Sequence, residues 1–111
     1  MPNFDRYDVV SVPFPYTDRA ALARRPALVV SDPTLESRFG LLWVLMITSA
    51  ENRRWHGDVP IPDHLEVGLP IPSIVRPAKI ATVEASRARL RGRLPAATAA
   101  VVAAAVGSII A

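Results

Sequence analysis

Two short polar pairs in this 111-residue sequence could do chemistry on a phosphate ester. They are Arg24-Arg25, followed directly by Pro26, and Thr48-Ser49, directly after the most apolar run of the chain. A guanidinium offers a planar fork of N–H donors that matches two phosphate oxygens, and it stays protonated at any working pH. A neighbouring hydroxyl adds a donor that rotates to suit its substrate. Together the two groups can bind and polarise a phosphodiester without a metal ion. Both pairs sit at strand boundaries, where loops leaving a rigid sheet often carry binding and catalytic groups. Taken alone, each pair is equally compatible with an ordinary strand-edge charge or strand-end hydroxyl.

Other chemistries find less support. His56, Asp58, Asp63 and His64 gather in one proline-containing stretch, but no pair has helical i,i+4 spacing, so no metal site is expected. The absence of cysteine excludes thiolate nucleophiles, disulfides and thiol-bound zinc or iron-sulfur centres, and it fits a reducing compartment. No serine sits in a nucleophile elbow, and five scattered glycines form neither a GxGxxG nor a Walker loop.

Charge adds a direction. Thirteen Lys+Arg against ten Asp+Glu give a formal net charge of +3, unevenly placed. Arg76, Lys79, Arg87, Arg89, Arg91 and Arg93 crowd 18 residues that hold one acid, Glu84, and Arg53-Arg54 form a further pair. Such a face suits a polyanion, whether RNA, DNA or an acidic protein, although a solvated arginine-rich surface has the same composition.

The elements that must hold these groups are short. DVVSVPFP from Asp8 reads as a strand closed by Pro13 and Pro15, the polar stretch 16–25 as a loop, and Ala27–Val30 as a second strand. SDPTLESRFG reads as a turn, and Leu41–Ile47 as a strand buried on both faces at the centre of the core. SIVRP and KIATVE read as two more strands separated by Pro77-Ala78. Eleven prolines, mostly at segment edges, favour a small barrel or sandwich over βαβ units.

The last 18 residues carry no charge and are rich in alanine; they read as a helix with Pro95 in its first turn and Val101/Val102, Ala105/Val106 and Ile109/Ile110 along one face. A membrane span needs about 20 strongly apolar residues, so packing on the barrel or across a dimer is expected instead. Half the residues are hydrophobic and 21% charged, which predicts one folded domain over 1–111, with a barrel at about 7–93 and a helix at about 95–110. The N-terminus lacks a basic segment followed by an apolar run, so a cytoplasmic protein is expected.

Several segments, in order and spacing, resemble the MazF/PemK (Kid) family of bacterial toxin endoribonucleases. They are DVVSVPFPYTD at 8–18, RRPALVVS at 24–31, the strand ending in Ile47-Thr48-Ser49, GDVPI at 57–61, GLPIPSIVRPAKIATVE at 68–84 and GRL at 92–94. The resemblance implies a mainly β fold, an SH3-like barrel of about five to seven short strands with a C-terminal α-helix, working as a homodimer. It implies the toxin of a type II toxin–antitoxin system, restrained by a cognate antitoxin and independent of membranes. The implied activity is sequence-preferring cleavage of single-stranded RNA by 2′-OH attack, leaving a 2′,3′-cyclic phosphate and a 5′-OH, with no metal or cofactor.

The family's catalytic pair carries over to Arg25 and Thr48, and Arg76 in VRP matches an arginine that the Kid-like branch uses for catalysis or RNA binding. Further RNA contacts are expected from Tyr16, Arg24, Ser49, Arg53, Arg54, Trp55 and Lys79. The sequence departs from the pattern at Tyr7, where glycine usually precedes the first strand's Asp, and at Ala78, where an acid proposed as general base usually follows the VRP arginine. Glu51 and His56 are weaker candidates for that base. Two other readings stay open: a CcdB-like toxin that binds gyrase without catalysis, although this chain has no terminal Trp-Gly-Ile, and an inactive basic barrel that binds nucleic acid.

Overall fold

The computed structural model describes residues 2–13 and 24–110; Tyr16, an expected RNA contact, lies outside them. In chain order the elements are β1 (Asp8–Pro13), β2 (Arg24–Val29), α1 (Pro33–Phe39), β3 (Leu41–Ser49), β4 (Val59–Pro60), β5 (Ser73–Glu84), a 3-10 turn (Ala85–Arg87), β6 (Arg89–Arg93) and α2 (Ala96–Ile110). The strands form one antiparallel sheet in the order β4-β5-β3-β2-β1-β6, curled into a half-barrel.

Side chains alternate across the sheet, so each strand feeds two apolar clusters. Val9, Leu28, Leu45, Ile47 and Val75 pack on one face with Val67, Leu69 and α2 residues Ala99 and Val102. Val10, Val12, Ala27, Val29, Leu42, Val44 and Met46 pack on the other, closed by Phe4 and Ala85. This double burial explains the near-continuous apolar run of β3. The expectation of full burial fails at Trp43, which is 50% exposed.

SDPTLESRFG is a helix, not a turn. Asp32 caps α1 by accepting from the Thr34 N–H, Pro33 occupies the first turn, and Gly40 at φ +67° ends it with its N–H on the Glu36 carbonyl. SIVRP and KIATVE are one twelve-residue strand rather than two. Pro77 has no N–H for the ladder, so the strand bulges: Leu45 pairs with Ile80, Met46 pairs with Arg76, and Pro77-Ala78-Lys79 loop out between them. The second strand begins at Arg24, which places the arginine pair inside β2 rather than in the loop before it. Only one stripe of α2 is covered, by way of Thr98, Ala99 and Val102, while Val101, Ile109 and Ile110 are exposed.

Tyr7 explains its own departure from the family pattern. It adopts φ +74°, a left-handed conformation that costs a non-glycine residue about 1–2 kcal/mol. Its N–H donates to the Val29 carbonyl at 2.7 Å and its carbonyl accepts from the Leu94 N–H at 3.0 Å, which hold the conformation, and its ring packs on the first cluster, a contact glycine would lack. Gly68 and Gly92 serve a different purpose: their backbones touch, and a Cβ at either would strike the main chain of the other segment at Arg91 or Val67.

Candidate functional site

The site is built from sheet register. The β2–β3 ladder ends with Ala27 opposite Met46, and the next same-face positions on the two strands are Arg25 and Thr48. Arg25 pairs with Val12 of β1, Thr48 with Ile74 of β5, and Met46 with Arg76 of β5. Residues opposed in an antiparallel pair share a face, so Arg25, Thr48 and Arg76 project on one side of three adjacent strands. Arg25 is exposed and Thr48 half-buried, within reach of a ligand from solvent.

The loop after β3 folds back on its own start. Asn52 Nδ2 donates to Thr48 Oγ1 at 2.5 Å, the Asn52 N–H donates to the Ser49 carbonyl at 3.1 Å, and Ser49 Oγ accepts from the Glu51 N–H at 3.2 Å. A hydroxyl that accepts from an amide keeps its own proton to give elsewhere, so Thr48 is set as a donor.

The far end of the same loop closes on Arg76. Its Nε donates to Asp58 Oδ1 at 3.1 Å, and its Nη2 donates to Asp58 Oδ2 at 2.9 Å and to the Arg53 carbonyl at 2.8 Å. Its guanidinium carbon lies 4.2 Å from the centroid of the Trp55 ring. Asp58 Oδ2 also accepts from the Trp55 N–H at 2.8 Å, and the Asp58 N–H donates to the Trp55 carbonyl at 3.1 Å. Gly57, at φ +88°, occupies the third position of this four-residue turn, where a left-handed residue is needed.

Burial pushes the Asp58 carboxyl up, but the hydrogen bonds from Arg76 and the Trp55 N–H, with the charges of Arg76 and Arg54, outweigh it and hold the group below the usual carboxylate range. Asp58 is therefore an anion with its lone pairs engaged, which suits it poorly to general-base work. It stands beside Arg76 because Val59 pairs with Val75, and one step along that register sets 58 against 76. Asp58 thus sets a carboxylate next to Arg76 from the position just before β4.

Residues 5–110 match the family described as PemK-like, MazF-like toxin of type II toxin-antitoxin system. The chain belongs to this family. A MazE-MazF complex from Deinococcus radiodurans matches with a TM-score of 0.77 at 28% identity, covering 96% of this chain and 95% of that one. MazF from the same organism gives 0.76 at 25% identity over 96% of each chain. An endoribonuclease in complex with its cognate antitoxin from a mycobacterial species gives 0.74 at 17% identity over 99% and 95%, a likeness of fold alone. No curated protein matches the sequence significantly.

In this MazF-like chain the remaining expected residues divide by face. Arg24 alternates with Arg25 and points the other way. Its Nε donates to Ser11 Oγ at 3.2 Å, and its Nη2 donates to the Ser11 carbonyl at 2.6 Å and to the Arg87 carbonyl at 2.7 Å. Burial, then the charge of Arg89, lowers its pKa. Register does not bring Arg24 to Thr48; it ties β1, β2 and the 3-10 turn together beside a cavity of about 450 Å³ lined also by Leu69, Arg89 and Arg91. Arg53 and Arg54 are exposed in the loop after β3, Ser49 is half-buried at its start, and Lys79 is exposed in the β5 bulge. Among the described residues no helix is long and apolar enough to cross a membrane. Sequence reasoning missed Asp58 and Asn52, whose roles depend on a hairpin and a loop closure that no local pattern announces.

Proposed function

We propose that this MazF-like toxin is a metal-independent endoribonuclease that cuts single-stranded RNA, with Arg25 and Thr48 at its centre. The observation that carries the reading is the placement of these two groups on one face of adjacent strands, with Thr48 fixed as a donor by Asn52. A ribose 2′-OH attacks the adjacent phosphorus and gives up its proton, the new O–P bond forms, the P–O5′ bond breaks, and the 5′ oxygen takes up a proton from solvent water. The Thr48 O–H and the Arg25 N–H groups bind the non-bridging oxygens, where negative charge grows on the way to the phosphorane. Arg25 acts as a fixed cation that donates hydrogen bonds to the oxygens. Glu51 and His56, both exposed in the loop after Thr48, are the groups there that could accept the 2′-OH proton.

The same reading supplies the partners. The Deinococcus and mycobacterial relatives are seen with antitoxins, and an acidic antitoxin segment lying across Arg25, Arg53 and Arg54 would exclude RNA from this cytoplasmic toxin. The uncharged helix α2, with Val101, Ile109 and Ile110 exposed, supports a homodimer. The test is incubation of the purified protein with an unstructured RNA in excess EDTA. Scission leaving 2′,3′-cyclic phosphate and 5′-OH ends is expected; intact RNA together with trapped gyrase would replace this reading with the gyrase-binding one.

A further inference from the structure

We infer that Trp55 is a preorganised stacking platform for one unpaired nucleobase of the RNA, and that Arg76 and Asp58 are positioning residues that hold it. This deepens the proposed function and takes the identity of the ligand from it.

Single exposed apolar side chains are common and carry no message by themselves. Trp55 differs in what lies beneath it. It is 44% exposed, yet one face of its indole is covered by a guanidinium at 4.2 Å, so the area it shows to solvent belongs to the opposite face and the ring edge. That guanidinium is itself fixed: Arg76 is only 7% exposed and is held by a two-pronged bond to Asp58 and a third bond to the Arg53 carbonyl. Asp58 also clamps the Trp55 main chain at both its N–H and its carbonyl. An ordinary surface aromatic loses rotamer freedom when it binds; here that loss is already taken in the fold.

The surroundings select the ligand. Residues 52–57 read NRRWHG and contain no acid, and the carboxylate of Asp58 is matched by Arg76. Arg53 and Arg54, the two residues before Trp55, are exposed and suit the phosphates flanking a base. A flat aromatic face with cations nearby is the arrangement that single-stranded nucleic-acid sites use, since every base has a π face. Arg76 pairs with Met46 and Thr48 lies two residues along the same face of β3, roughly 7 Å away along the strand. The platform therefore serves a nucleotide next to the scissile phosphate. With Nε and Nη2 committed to Asp58 and the Arg53 carbonyl, the guanidinium plane is fixed against Trp55.

The experiment measures binding of short unstructured 2′-fluoro RNA oligonucleotides, which lack the attacking hydroxyl, by anisotropy, with an abasic unit moved through each position. Trp55→Ala should weaken binding about 5- to 150-fold, the range for one stacked base, and Trp55→Phe should recover most of it. At one position the abasic unit should remove the difference between Trp55→Ala and the unaltered protein. Asp58→Asn should weaken binding in the presence of Trp55 and have no further effect in a Trp55→Ala background. Equal binding by Trp55→Ala and the unaltered protein, or a loss that no abasic position removes, would overturn the platform. Cleavage is followed separately with natural RNA: cutting by an unaltered protein whose binding ignores Trp55 refutes the platform alone, whereas position-specific dependence on Trp55 without any cutting refutes the nuclease alone.

Discussion

A threonine hydroxyl at a strand end becomes a directed donor once an amide occupies its lone pair, and Asn52 does this for Thr48. Thr48→Val keeps the shape and deletes the donor, so cleavage should fall by about 10²-fold, the loss typical of one oxyanion donor, with the melting temperature little changed. Single-turnover assays beside thermal denaturation check this. Asp58 makes a different demand, because its side chain is 2% exposed and answers a buried guanidinium. Asp58→Ala leaves that cation unpaired and should cost about 3–5 kcal/mol of stability, read by denaturant unfolding. Its folded pKa lies below its unfolded value, so its contribution is complete above the ordinary Asp range near pH 4 and is lost as pH falls through the folded value. The gap in melting temperature between the unaltered protein and Asp58→Asn should accordingly be full at pH 7 and close towards pH 3. A gap that stays constant over that range would contradict the assignment. The Arg24-Arg25 and Thr48-Ser49 pairs were legible in the sequence by residue type and by their place near strand ends, while the choice of Arg25 and Thr48 within them came from the family resemblance. Asp58 was not, since its partner lies 18 residues away and β4, which joins them, has only two residues.

At the scale of elements, backbone proximity decides what the sequence could reveal. β1, the core of β2, β3 and α2 announced themselves through apolar periodicity, and β5 announced itself as two pieces because its bulge falls on a proline. α1 escaped because seven residues carry too little periodicity, although the signals at its ends, Asp32-Pro33 and Gly40, were present. β6 escaped because three of its five residues are arginines with no apolar alternation. β6 is held by its ladder with β1, and at Gly92 and Gly68 it comes close to the main chain of the loop before β5. Gly92→Ala forces those main chains apart and should cost about 1–3 kcal/mol, the usual price of overpacking, seen as a lower denaturation midpoint at unchanged m value. Site residues outside β6 should keep their activity per folded molecule.

For the whole molecule, a net charge of +3 is modest, and what matters is its concentration along the loop after β3 and along β5 and β6. RNA binding should weaken as salt rises, with a linear dependence of log affinity on log salt. Replacing both Arg53 and Arg54 with alanine should reduce that slope by roughly 1.4, at about 0.7 per phosphate contact for a single strand. An unchanged slope would remove these arginines from the RNA path.

The most direct test compares single-turnover cleavage of unstructured RNA in EDTA by the unaltered protein, Arg25→Ala and Arg25→Lys, each confirmed folded by its melting curve. The account predicts a loss of about 10²-fold or more for Arg25→Ala and partial recovery with Arg25→Lys, which restores the charge without the planar fork. Cleavage by Arg25→Ala at the unaltered rate would contradict it.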